Sequence, residues 1–200
     1  MTSANDHLFW ITSRAAGSTA LLLASAGVAA GLLMGTKLVR GKRAGDLQAL
    51  HEVLALATLV SIAVHALSLL FDAFLHPSIA DVLVPFVFGY HRIWTTVGIF
   101  AGYGLMALGL SYYARKRIGP ARWRKAHRFT ALAWVMGIAH SLGEGTDAGT
   151  AWFLVLMGVA IVPTAVLLVA RLAGVRRRVD DRRPAARPAP RQPRTQEIEA

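Results

Sequence analysis

Long apolar runs alternate with short polar stretches along the first 172 residues. Five runs approach the length that a helix needs to cross a bilayer: about 15–36, 47–71, 93–114, 126–143 and 150–172. They predict an all-α integral membrane bundle of five transmembrane helices. The bundle forms one domain over 15–172, between an N-terminal segment, 1–14, and a tail, 173–200. The first run is too long for a signal peptide and has no clear small-residue cleavage site.

Basic residues are concentrated in three places, which follow the first, third and fifth runs. They are Lys37, Arg40, Lys42 and Arg43; Arg115, Lys116, Arg117, Arg122, Arg124 and Lys125; and Arg176, Arg177 and Arg178. Because connections rich in Lys and Arg stay on the cytoplasmic side, the N-terminus is predicted outside the plasma membrane (the inner membrane) and the C-terminus inside. The net charge of +11 is then explained by topology and anionic lipid, without nucleic acid as a partner.

Two features of composition add to this picture. The tail is rich in Arg and Pro and almost free of apolar residues, so it is predicted to be a disordered cytoplasmic segment. The chain has no cysteine, which excludes disulfides, thiolate haem ligation and cysteine-bound iron–sulfur clusters within it. Any redox chemistry must therefore use a bound cofactor.

Histidines in the second and fourth runs provide the strongest chemical signal. His51 and His65 are fourteen residues apart, and His127 and His140 are thirteen apart. At a rise of about 1.5 Å per residue, the members of each set lie roughly 20 Å apart along a helix axis. Both helices run from inside to outside in the predicted topology, so their imidazoles form two facing couples. Two facing imidazoles can be the axial ligands of one haem iron.

The thirteen-residue spacing raises a geometric difficulty. Fourteen steps of about 100° return a side chain to nearly the same helix face, whereas thirteen steps miss that face by roughly 140°. We expect a tightened turn, a tilt or a bend near Gly137 to correct the difference. Alternatively, two haems approach this helix from different sides.

Other histidines and several glycines are weaker candidates for a role in the site. His7, His76 and His91 lie in polar or loop segments and are not expected to be ligands. Glycines repeat at four-residue spacing on the first and third runs, at Gly27, Gly31 and Gly35 and at Gly98 and Gly102. Such repeats permit close helix contact or leave room for a flat macrocycle, and they favour helix packing.

Several motifs resemble the ferric reductase-like transmembrane domain family, which includes the haem-bearing cores of NADPH oxidases and ferric reductases. The resemblance covers about residues 10–172. It rests on the histidine spacing and on Trp10 with Arg14, Val84-Pro85-Phe86, Tyr90-His91-Arg92-Ile93-Trp94 and Trp123-Arg124-Lys125-Ala126-His127. It implies two haem b groups, an inner one on His51 and His127 and an outer one on His65 and His140. It also implies that Arg14 lies near the outer haem, by a propionate or the acceptor.

The chain departs from the larger relatives, which have six spans and a cytoplasmic domain for FAD and NAD(P)H. It has five predicted spans and no Gly-rich nucleotide loop, so no FAD or NAD(P)H site is expected. The prediction is a di-haem cytochrome, an oxidoreductase component that takes electrons from a separate flavoprotein or a quinol. Its external acceptor would be ferric iron, oxygen or a partner protein. Two alternatives stay open: a quinone-linked haem anchor subunit of a larger oxidoreductase, and a metal or proton transporter that uses the histidines directly.

Overall fold

The structure, a computed structural model, describes residues 7–36, 41–145 and 147–180, which form helices and turns without any strand. The helices are α1 (Leu8–Thr36), α2 (Lys42–Leu69), α3 (Ile79–Leu83), α4 (Arg92–Leu110), α5 (Arg115–Ile118), α6 (Pro120–His127), α7 (Thr130–Glu144) and α8 (Ala151–Asp180). Four of them, α1, α2, α4 and α8, are long and apolar enough to cross a membrane. The all-α prediction is confirmed.

Apolar side chains cover the outward surfaces of the long helices. On α8, for example, Val155, Val159 and Val166 are 67%, 72% and 62% exposed. A continuous apolar surface of this kind is unfavourable in water and suits contact with lipid. The helices can meet lipid in this way because their backbone hydrogen bonds are satisfied within each helix.

The fourth predicted span, 126–143, is divided between two helices. α6 begins with Pro120, whose missing N–H is not needed in a first helical turn, and it ends at His127. A turn at Arg128 and Phe129 follows, and α7 then begins at Thr130. With 15 residues, α7 is about 22 Å long, which is shorter than a hydrocarbon core of about 30 Å. The described residues therefore contain four helices of spanning length, where five were predicted.

Two predicted boundaries differ from those of the structure. α1 begins at Leu8 and not near residue 15, because the apolar residues 8–11 continue the helix towards the N-terminus. α8 continues to Asp180, eight residues beyond the predicted end of the fifth span, because helical backbone bonding does not require an apolar sequence. The predicted tail otherwise consists of residues 181–200. These residues, Lys37 and Arg40 lie outside the described part of the chain.

α1 is the central helix, and it packs against α2, α7 and α8. An apolar core forms where α1, α7 and α8 meet, from Leu21, Ala24, Trp134, Phe153 and Met157. Two polar contacts fix these helices: the Trp134 indole donates to Ser25 Oγ at 2.9 Å, and Thr164 Oγ1 donates to Ser25 O at 3.1 Å. α4 packs against α7 and approaches α2. The histidine-bearing helices α2 and α7 are thus held by α1 and by α4.

Candidate functional site

The four histidines of α2, α6 and α7 form two facing pairs in the structure. The imidazole centroids of His51 and His127 are 6.1 Å apart with an interplanar angle of 84°, and those of His65 and His140 are 6.3 Å apart at 71°. Two imidazoles that bind opposite sides of one metal through Nε2, at about 2.0 Å each, place their centroids roughly 6 Å apart. The spacing within each pair therefore suits a single metal ion.

The break between α6 and α7 removes the difficulty of the thirteen-residue spacing. His127 is the last residue of α6, whereas His140 lies within α7, so no continuous helix joins them. Thr130 stabilises the break, since its hydroxyl donates a hydrogen bond to His127 O at 2.6 Å. The expected bend near Gly137 is not where the correction occurs, because α7 is continuous through that residue.

Each of the four imidazoles donates a hydrogen bond from Nδ1 to a backbone carbonyl of a neighbouring helix. The pairs are His51 with Gly27 at 2.8 Å, His65 with Ser13 at 2.8 Å, His140 with Trp94 at 2.9 Å and His127 with Leu108 at 3.3 Å. Because a carbonyl oxygen only accepts, Nδ1 carries the proton in each ring and Nε2 keeps its lone pair. Metal-ligating histidines commonly have this tautomer and donate their other ring N–H to a carbonyl in the same way.

Three glycines make room for three of these imidazoles. A Cβ at Gly98 would lie 2.5 Å from His140 Nδ1, one at Gly17 would lie 3.0 Å from His65 Nδ1, and one at Gly31 would lie 3.2 Å from His51 Cε1.

Each of these glycines follows the carbonyl that accepts the imidazole by four residues. Side chains on a helix tilt towards its N-terminus, so a Cβ at that position would cover the carbonyl. A pattern of an accepting carbonyl and a glycine four residues later thus creates a histidine docking position on a helix.

The role expected for the glycine repeats is therefore only partly correct. Gly27 and Gly102 do face another helix: a Cβ added at Gly27 would lie 3.7 Å from Leu54, and one added at Gly102 would lie 3.7 Å from Ile62. Gly31 and Gly98, in contrast, accommodate imidazoles. Gly17 was missed by the sequence analysis, although its fourteen-residue distance from Gly31 matches the spacing of the histidines on α2.

Ser13 was also missed, and it makes a second contact with His65. Its hydroxyl donates to His65 O at 3.1 Å and lies 3.0 Å from His65 Nδ1. Ser13 is buried, which keeps these bonds away from water. No signal in the sequence distinguishes this serine from others on α1.

Arg14, the predicted cofactor-binding arginine, lies next to Ser13 at the level of the His65–His140 pair. Its guanidinium forms an ion pair with Asp147 and stacks over the Trp10 ring at 4.0 Å. Asp147 belongs to the turn between α7 and α8. The structure therefore gives this cation a carboxylate partner, with which any anionic group of a cofactor would compete.

A second polar cluster lies at the same end of the bundle. His91 stacks on Tyr90 with ring centroids 4.2 Å apart, and its Nδ1 is 3.8 Å from Glu144 Oε2. Thr95 Oγ1 donates to the same carboxylate at 3.4 Å. Burial raises the pKa of the Glu144 carboxyl, against the opposing effects of His91 and Thr95. This histidine, like the exposed His7 and His76, belongs to neither imidazole pair.

The described residues contain no group of three or more His, Cys, Asp or Glu side chains that could hold a metal ion. A haem iron would require only two ligands from the protein, since the porphyrin supplies the other four. Comparison with protein-family models, with curated proteins and with solved structures finds no match to this chain.

Proposed function

We propose that this chain is a di-haem membrane cytochrome of the b type, a membrane core similar to that of the ferric reductase-like family. His51 and His127 would hold one haem, and His65 and His140 the other. The observation that carries the proposal is the geometry of the two pairs: centroids 6.1 and 6.3 Å apart, with every Nδ1 directed at a carbonyl. Bound haem would supply reversible one-electron chemistry.

The protein's own contribution is to orient the imidazoles and exclude water. The carbonyls of α1 and α4 set the ring orientation, and the glycines permit the close approach. The apolar outer surfaces of the helices keep this region within lipid. A low-dielectric environment of this kind helps to set the potential of a metal centre.

The proposed topology has five crossings, with α6 and α7 together forming the fourth. The positive residues of α5 and α6, with Lys42 and Arg43, support a cytoplasmic location for the end that carries His51 and His127. The N-terminus would then be outside the plasma membrane, and the C-terminus inside. Electrons would come from a cytoplasmic flavoprotein or a quinol. They would pass to ferric iron, oxygen or a partner protein near Arg14.

Haem stoichiometry tests the proposal directly. Protein purified in detergent after expression with ample haem should contain about two haems b per chain, measured as the pyridine haemochrome. The His140→Leu variant should contain about one, because His65 alone would be left to hold the second haem. His76→Leu provides the matched control, since it changes an exposed histidine outside both pairs and should leave two haems.

Two results would overturn the proposal. One is wild-type protein that is folded, by circular dichroism, yet contains no haem. The other is an equal loss of haem in His140→Leu and His76→Leu, which would show that the pairs have no special role.

A further inference from the structure

His127 differs from the other three paired histidines in its hydrogen bond. Its Nδ1 lies 3.3 Å from Leu108 O, whereas the other three Nδ1 atoms lie 2.8 to 2.9 Å from their carbonyls. The Leu108 carbonyl also accepts a hydrogen bond from Ser111 Oγ, at 2.7 Å. Two donors therefore share one oxygen, and the serine holds the shorter bond.

The end of α4 explains why this carbonyl is open to side chains. In a continuing helix the Tyr112 N–H would bond to Leu108 O, but here it bonds to Gly109 O at 3.1 Å. Carbonyls in the last turn of a helix lack their usual partners and carry partial negative charge. No glycine is needed beside His127, since no further turn of α4 covers Leu108 O.

Trp123 closes the arrangement around His127. The indole Nε1 donates to Ser111 Oγ at 3.1 Å, which leaves the serine hydroxyl hydrogen for the carbonyl. The same indole stacks on the His127 imidazole, with centroids 4.9 Å apart and planes inclined by 26°. Trp123, Ser111, the Leu108 carbonyl and His127 therefore form a closed ring of contacts.

We propose that Ser111, held in place by Trp123, is a positioning residue that weakens the Nδ1 hydrogen bond of His127 by competing for Leu108 O. This inference rests on the proposed haem ligation. A stronger Nδ1 bond makes an imidazole a more basic ligand, which favours the oxidised metal. The competing serine thus raises the midpoint potential of the haem held by His51 and His127.

Ser111→Ala tests the inference in the full-length protein. Without the hydroxyl, His127 has the Leu108 carbonyl to itself, so the inner haem should become harder to reduce. At a fixed potential, we expect the ratio of oxidised to reduced inner haem to rise roughly three- to tenfold. For a one-electron couple this is a fall of about 30 to 60 mV in a spectroelectrochemical titration. The second haem, between His65 and His140, should keep its potential and serves as an internal control.

Two further measurements separate tuning from structural damage. Ser111→Thr retains a hydroxyl at this position and should restore the wild-type potential. In haem-free protein with ¹⁵N-labelled histidine, the Nδ1 proton of His127 should move downfield in Ser111→Ala, because its hydrogen bond shortens. The resonance is assigned by its disappearance in His127→Leu.

The outcomes distinguish this inference from the function on which it rests. Two haems in Ser111→Ala with both potentials unchanged would overturn the tuning role and leave the di-haem function intact. Equal shifts of both potentials would also overturn it. If wild-type protein binds no haem, the function fails and the tuning role fails with it. An unmoved Nδ1 proton would refute the competition for Leu108 O itself.

Discussion

Gly98→Ala is a sensitive test of the way His140 is positioned. An added Cβ would lie 2.5 Å from Nδ1, 2.7 Å from Cε1 and 2.8 Å from Cγ of this imidazole, whereas ordinary contacts are 3.4–4 Å. The added Cβ is fixed to the backbone of α4 and would approach three ring atoms at once, so rotation of one flexible group cannot relieve the clash. The imidazole must therefore move away from Trp94.

The size of that movement follows from the same distances. To restore contact at 3.4 Å the ring has to retreat by about 1 Å, and its 2.9 Å bond to Trp94 O would lengthen beyond hydrogen-bonding range. Ligand sets generally tolerate displacements of only about 0.5 Å. Overpacking in a filled site costs roughly 1–3 kcal/mol. Helix propensity alone would instead make the alanine variant more stable by about 1 kcal/mol. Overpacking and helix propensity therefore predict opposite changes in stability.

Gly102→Ala is the matched control, one helical turn further along α4. Its added Cβ would meet Ile62 at 3.7 Å, an ordinary contact, so this variant should keep two haems and gain slightly in stability. Gly98→Ala should lose the outer haem, keep the inner one and unfold at lower temperature in the same detergent. Haem content and thermal midpoint are measured for both variants beside the wild type.

A Gly98→Ala protein that contains two haems and unfolds at or above the wild-type temperature would show that Gly98 is not needed to position His140. Equal losses in both glycine variants would also contradict this role, because they would indicate a general intolerance of α4 to alanine. Gly31→Ala should have a milder effect than Gly98→Ala, since its Cβ would lie 3.2 Å from His51.

Three further predictions concern electron transfer and pH. The double variant Arg122→Gln and Lys125→Gln should slow haem reduction by an acidic flavoprotein, measured by stopped-flow at low salt. The difference in rate from the wild type should vanish as salt shortens the Debye length below about 10 Å. Equal rates at low salt would exclude docking of the flavoprotein at these residues. In oriented vesicles, His140→Leu should stop reduction of external acceptors while the inner haem stays reducible from the cytoplasmic side. His127→Leu should block reduction from the cytoplasmic side. The reverse pattern would show that the topology is inverted. Burial raises the pKa of Glu144 above its ordinary value, so ionisation of this carboxyl destabilises the folded state as pH rises. The thermal midpoint of Glu144→Gln should therefore increase relative to that of the wild type from pH 4 to pH 8, and a constant difference would contradict the raised pKa.

Local features of the sequence were enough to predict that the chain forms helices apolar enough to cross a membrane. They also predicted the positions of the histidines along the bundle axis. Apolar runs determine where helices can lie in lipid, because each helix satisfies its own backbone bonds. The fixed rise per residue then places His51 and His65 at two depths, whatever the neighbouring helices do. The relative rotation of His127 and His140 could not be predicted in this way, since the prediction assumes one continuous helix and the chain breaks after His127.

Only the tertiary structure decided which groups surround each imidazole. Ser13 and His65 are 52 residues apart, and Arg14 and Asp147 are 133 residues apart. Such contacts depend on the rotation and depth of one helix relative to another, which the packing of α1 against α2, α7 and α8 sets. Glycine repeats look alike in the sequence, yet Gly98 faces an imidazole and Gly102 faces an isoleucine. A periodic pattern specifies a helix face, and the neighbouring helices determine what that face contacts.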